Sequence, residues 1–244
     1  MKVQLVSFKK GSAWKRRLEQ MIKIINDSDA DLIMFNGRTL NDVSYLDQLE
    51  SGVNNKRVFV LFEVEHSTKE RHPYYLYKIQ NGKIRSLNTK QLFADSSEIE
   101  GNEFLCERYL DELEAKRCFT VKGRKCLVLQ SGENNIIKNS QSDDNRPGFR
   151  FEGRRDLKER FFNLLEDTDI VLNPGHTPMG NQGKMKQRRI LLSCNERYYF
   201  YVCNAEGKIG FNSKRIVYGY YNGKEIYKLS DTNELYSIYT YIVQ

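Results

Sequence analysis

The sequence has little of what metal centres and stapled small folds are built from. Its 244 residues include three histidines, His66, His72 and His176, so a histidine-rich metal centre is not expected. The five cysteines, Cys106, Cys118, Cys126, Cys194 and Cys203, are odd in number and none stands at C-x-x-C spacing. That disfavours a zinc site and a disulfide framework, and no metal and no cofactor are expected. No apolar run approaches the roughly 18 to 20 residues of a membrane span. There is no internal repeat and no low-complexity linker. No basic cluster with interleaved aromatics accompanies the net charge of +7, so a nucleic-acid-binding module is the least favoured function class. Met1 to Val6 leads directly into an expected strand, without the apolar stretch or cleavage site of a signal peptide, and a cytoplasmic location is the expectation.

What the sequence does contain suits one globular α/β domain over residues 1–244. Apolar residues make up 39% and charged residues 29%, with 15 tyrosines and 13 phenylalanines, too many aromatics for a disordered chain. Opposite charges are interspersed, as in Lys69-Glu70-Arg71, which describes a solvated surface. Val3 to Phe8 reads as a strand. Trp14, Leu18, Met21, Ile22 and Ile25 lie on one face of a 3.6-residue helix over 13–26, with Ser12 as the expected N-cap. Asp31 to Phe35 is a second strand, and Val58 to Phe62 is apolar enough to be buried on both faces. Asn81-Gly82 marks a hairpin between 74–79 and 83–90. Residues 91–116 read as polar and mixed. Cys126 to Leu129 and Asp169 to Leu172 are buried strands by composition. Leu157, Phe161, Leu164 and Leu165 share a helix face, residues 184–192 read as helical, and residues 139–153 are expected to be a polar loop or insertion. Tyrosine-rich strands fill the rest.

Three strand ends carry polar residues that could face a ligand: Lys90, the Ser131-Gly132-Glu133-Asn134 segment, and Asn173-Pro174-Gly175-His176. In open α/β sheets, sites gather beyond the carboxyl ends of strands. The order strand, helix, Ala30-Asp31-Leu32-Ile33-Met34-Phe35, then Asn81-Gly82-Lys83-Ile84 with Thr89-Lys90-Gln91-Leu92, then Gly123 to Glu133, then Asp169 to Pro174 and Gly210-Phe211-Asn212-Ser213, resembles the nitrilase (carbon–nitrogen hydrolase) superfamily. The blocks run in family order along nearly the whole chain. The resemblance implies a four-layer αββα sandwich, a homodimer, and a small amide or nitrile ligand.

The family works with a glutamate base, a lysine that stabilises the tetrahedral intermediate and a cysteine nucleophile. By resemblance the lysine is Lys90. The glutamate position falls near Gly37, so that base is missing, and the nucleophile position is Ser131. A neutral serine is a poor nucleophile unless a base activates it. Three alternatives stay open: amide hydrolysis is lost, Glu65 or Glu133 supplies the base, or Ser131 replaces a native cysteine. The expected catalytic residues are therefore Lys90, Ser131 and Glu65, and the expected ligand-binding residues Glu133, Asn134 and His176. Each has a plainer reading as a turn, surface or packing residue. Lys184, Lys186, Arg188 and Arg189 could touch phosphate, but a solvated helix face is the favoured reading.

Overall fold

Side-chain alternation along the strands decides which layer each residue enters. The computed structural model describes residues 1–67, 69–140, 144–178, 181–206 and 210–244. Its strands are β1 (Lys2–Phe8), β2 (Leu32–Phe35), β3 (Phe59–Glu65), β4 (Tyr74–Gln80), β5 (Lys83–Lys90), β6 (Cys118–Val121), β7 (Arg124–Val128), β8 (Ile137–Ser140), β9 (Arg146–Phe149), β10 (Ile170–Pro174), β11 (Tyr198–Val202), β12 (Val217–Tyr221), β13 (Lys224–Glu225), β14 (Leu229–Thr232) and β15 (Tyr236–Ile242). They form a seven-stranded sheet in the order β14-β15-β1-β2-β3-β4-β5, a six-stranded sheet in the order β13-β12-β11-β10-β7-β6, and the small ribbon β8-β9.

The period of two is explicit in the first sheet. Val3, Leu5, Leu32, Met34, Phe59 and Leu61 enter one core cluster together with the residues of the second sheet. Their neighbours Val6, Phe8, Ile33, Phe35, Val60 and Phe62 enter another, with Leu18, Met21 and Ile25 of α1 (Trp14–Asp27) and Leu49 of α2 (Leu46–Gly52). One face of the sheet thus meets the other sheet and the opposite face meets helices. On the far side, after the short α3 (Ser96–Ile99), lie α4 (Glu103–Lys116) and α5 (Arg155–Glu166). They bury Cys106, Tyr109, Leu110 and Leu113, and Leu157, Phe161 and Leu165. The layers are α, β, β, α, as the resemblance implies. Trp14 is half-buried and Phe161 fully buried, so both expected amphipathic helices pack as read.

Several local expectations change. Ser12 does not cap α1. The N-cap is Ala13, without a side-chain bond, while Ser12 Oγ donates to Lys9 O at 2.8 Å. Residues 91–116, read only as polar and mixed, hold α3 and α4. The buried positions of α4 fall at helical spacing, but charges crowd between them and blur the stripe. The expected polar loop at 139–153 contains β9 and the end of β8, paired antiparallel from Ile137↔Phe149 to Ser140↔Arg146. The Asn81-Gly82 hairpin forms as expected, with φ of 56° and 73°.

Strand direction sets the functional end. β1, β2 and β3 run parallel, as do β7, β10 and β11. Both sets carry their carboxyl ends to one edge of the sandwich, where Asn36-Gly37 after β2 meets Gly175 after β10 through a 2.9 Å bond from Gly37 N to Gly175 O.

Candidate functional site

At that edge a cleft of about 520 Å³ opens beyond the strand ends. Ser131, Asn134 and His176 line it, with Arg38, Asp95, Lys184 and Arg188 among the other wall residues. Ser131 starts a 3-10 turn (Ser131–Ile136) directly after β7 and holds φ of +43°, a left-handed conformation uncommon for serine. The turn is pressed against the segment after β5: a Cβ on Gly132 would lie 2.0 Å from Ala94 O, so only glycine fits there. Ser131 Oγ accepts from the backbone N–H of His176 at 3.2 Å.

His176 and Glu63 form the buried centre of the site. Phe59, Leu61 and Glu63 share the inward face of β3, so the alternation that packs two apolar side chains against the second sheet also sends a carboxylate there. Glu63 is fully buried and its Oε2 lies 2.7 Å from His176 Nε2. Gln130 Nε2 donates to Glu63 Oε1 at 2.9 Å and Arg38 N donates to Oε2 at 2.9 Å. Burial alone would lift this carboxyl, but the His176 charge and hydrogen bond, with the hydrogen bonds from the Gln130 side chain and the Arg38 backbone, outweigh it and hold Glu63 below the usual glutamate range. The Tyr74 ring stands edge-on to the imidazole, with centroids 4.9 Å apart.

The imidazole also explains Gly37. A Cβ built at Gly37 would lie 2.3 Å from His176 Cδ2. The space a side chain at the missing-base position would take is filled by the histidine ring. Asn204 Nδ2 donates to both Gly37 O and His176 O, at 2.8 and 3.0 Å, tying the two segments together.

The remaining expected site residues lie elsewhere. Glu65 is two positions beyond Glu63 on the same strand face, half-buried, and interacts with the Tyr74 hydroxyl. Glu133 points away from the cleft into a fully buried ion pair with Arg117, and also accepts from Leu92 N at 2.9 Å and Gln130 N at 2.8 Å. Burial lifts its carboxyl, with Arg117 and these amides working against the rise. Lys90 is not on the cleft wall. Its neighbour Thr89 faces Arg117, whose Nε donates to Thr89 Oγ1 at 2.9 Å. Lys90 turns the other way, pairing with Glu70 and lying 5.6 Å from the Tyr75 ring centroid, on the side of Tyr75 that packs with the α1 cluster. The structure therefore brings Ser131, Asn134 and His176 together and leaves Lys90, Glu65 and Glu133 outside the cleft.

Sequence reading missed Glu63 and Arg38, and favoured a solvated face for Arg188. Glu63 had a signal, since a carboxylate inside the apolar run Val58 to Val64 must be buried and needs a partner. Lys184 and Arg188 belong to α6 (Gln182–Leu192) and face the cleft rather than solvent, with Arg188 8% exposed. Among the described residues no cluster of His, Cys, Asp and Glu is suited to a metal ion, and no helix is long and apolar enough to cross a membrane.

No protein-family model matches the sequence, and no curated protein is similar to it in sequence. Solved structures do match in fold. A glutamine-dependent NAD+ synthetase from Acinetobacter baumannii superposes with a TM-score of 0.54 at 16% identity, over 99% of this chain and 45% of the synthetase. An amidase from Nesterenkonia sp., of the nitrilase superfamily, gives 0.57 at 10% identity over 99% of this chain and 90% of the amidase. A CN-hydrolase superfamily protein from Xanthomonas campestris gives 0.55 at 10% identity, with 99% and 90% covered. The chain thus spans less than half of the synthetase and nearly the whole length of the other two. It has the fold of nitrilase-superfamily structures.

Proposed function

We propose that this nitrilase-fold chain carries an altered active site that binds a small amide-like ligand in the Ser131–His176 cleft, without the glutamate–lysine–cysteine chemistry of the superfamily it resembles. The observation that carries the reading is the exchange at Gly37: the place of the base is taken by an imidazole locked to Glu63. The Lys90–Glu70 pair, away from the cleft wall, supports it. Ser131→Cys tests it. The variant gains a better nucleophile but neither a free carboxylate base nor an oxyanion lysine, so it should stay inert towards simple amides and nitriles. Turnover by Ser131→Cys that disappears in Ser131→Cys/Lys90→Ala refutes the reading.

A second reading, hydrolysis by Ser131 itself, is favoured by one observation. Glu63 bonded to His176, with Ser131 on the same cleft wall, supplies the residue types of a serine triad, and activation requires His176 Nδ1 to turn towards Ser131 Oγ, which accepts from the His176 backbone N–H at 3.2 Å. Under this reading an activated acyl ester would give a burst of leaving group that Ser131→Ala abolishes.

The chain acts in the cytoplasm as a homodimer. The five cysteines, all free thiols, suit a reducing compartment. Exposed Tyr227, Leu229 and Ile242 leave apolar surface to cover. Light scattering should give twice 28.7 kDa, and a monomer at every concentration rejects the dimer.

A further inference from the structure

The cleft wall is unbalanced in charge. Arg38, Lys184 and Arg188 line it, against Asp95 as the acidic lining residue. Asp95 accepts from the α3 backbone in a capping box with Glu98, and its single charge stands against the three cations. His176 is matched by Glu63. Arg188 is held by neutral oxygens: Asn139 Oδ1 at 2.8 Å, Asn135 Oδ1 at 2.9 Å and Asn134 O at 3.2 Å. These fix the guanidinium through Nε and Nη1 and leave its charge uncompensated. Burial, with the Arg150 charge, brings it down to about 10, which keeps it protonated at neutral pH. Arg38 lies over the Tyr74 ring, 5.2 Å from its centroid. Among the described residues no carboxylate pairs with Arg38, Lys184 or Arg188. The N-terminal turn of α6, where Asn181 caps Lys184 N and both residues line the cleft, adds partial positive charge on the same side.

A protein interior does not hold a buried, rigid, unpaired cation without cost. A second negative group resolves the imbalance. We propose that the cleft is an anion site, binding a small molecule through a carboxylate or phosphate group held between Arg188, Lys184 and Arg38. The inference rests on the reading of this cleft as the ligand site and deepens it by naming the ligand's charge. It does not depend on whether any bond is cleaved.

Calorimetric titration of the whole chain tests it, with inorganic phosphate and succinate as separate anionic probes and acetamide as the neutral one. At least one anion should bind, more weakly as salt is raised, and the stronger of the two identifies the group. Removing one charge-assisted contact should weaken that anion about ten- to a hundred-fold. Arg188→Gln should do so if it folds. Lys184→Gln and Arg38→Gln remove less enclosed charges and keep the test open if it does not. Lys122→Gln, at the β6–β7 turn on the opposite end of β7, should change nothing. The proposal is overturned if neither anion binds at 10 mM, or if Lys184→Gln and Arg38→Gln bind as wild type does. Anion binding together with Lys90-dependent amide turnover by Ser131→Cys would refute the altered active site and leave the anion site standing. No anion binding with an inert Ser131→Cys would refute the anion site alone.

Discussion

Adding one methyl group at Gly37 sets a histidine ring against two backbone segments. The Cβ of Gly37→Ala would meet His176 Cδ2 at 2.3 Å, Gly175 O at 2.9 Å and Gly175 C at 3.0 Å. The backbone has little room to give. Gly37 N donates to Gly175 O, and Gly37 O accepts from Asn36 Nδ2 at 2.7 Å and Asn204 Nδ2 at 2.8 Å. The ring therefore yields, and its 2.7 Å bond to buried Glu63 stretches or breaks. Overpacking a well-filled site costs about 1–3 kcal/mol, and stripping the partner from a buried charge about 3–5 kcal/mol. The ring can shift without leaving, so the lower range applies. At about 2–4 °C per kcal/mol for a chain of this size, Gly37→Ala should melt about 2–12 °C below wild type. Gly37→Glu, the change that would restore the family's base, should be worse. A double-mutant cycle isolates the cause. In a His176→Ala background the ring clash is absent, so the two losses should be sub-additive by at least about 1 kcal/mol. Circular-dichroism melts of the four proteins measure this. A Gly37→Ala melting point equal to wild type, or strictly additive losses, would refute the steric argument.

Other perturbations give separate readouts. Glu63 sits below the usual glutamate range, so its contribution to stability is present above the unfolded value near ~4.3 and is lost as pH falls through the folded value. Melts from pH 6 to pH 3 should therefore fall more steeply for wild type than for Glu63→Gln, and equal slopes would contradict the pairing. Glu133→Ala leaves Arg117 buried without its partner and should lose about 3–5 kcal/mol in urea titrations, whereas a loss under 1 kcal/mol would mean the pair is not closed. The Lys90–Glu70 pair is partly exposed and screened by solvent, so Lys90→Ala should cost no more than about 1 kcal/mol. A larger loss would show that Lys90 has a buried role.

The fold was legible because its signals are local and repeated. The apolar runs of β1, β2 and β3, the apolar stripes of α1 and α5, and the Asn-Gly turn each follow from composition, side-chain period or backbone freedom. α4 escaped notice because Glu103, Glu107, Asp111 and Glu114 interrupt its buried positions, and packing against α5 decides its state. The site was legible as a region and not as a set of partners. Strand ends bring Ser131, Asn134 and His176 to one cleft wall, since parallel strands deliver their carboxyl ends to one edge. Which carboxylate meets His176 depends on register between two sheets. Glu65 and Glu63 share a face, and only the depth of β3 in the sandwich separates them. Arg188 was read as solvated because a cation on a polar helix usually is. The asparagines that hold it, at 134, 135 and 139, come from a different part of the chain.

The pairing of β1 with β15 carries a consequence for how the chain is made. Lys2 to Phe8 faces Ile242 to Tyr236 in full register, yet the partners are separated by almost the whole sequence. On a ribosome the first strand emerges more than two hundred residues before the strand that covers its outer side. Until then the first sheet ends in an apolar, unpaired edge, the kind of template on which chains associate wrongly. Closing it is a long-range step, slow relative to the hairpins that form around Asn81 and Asn222. Loss of β15 would leave that edge open permanently, making this strand a protective cover for a surface begun more than two hundred residues earlier.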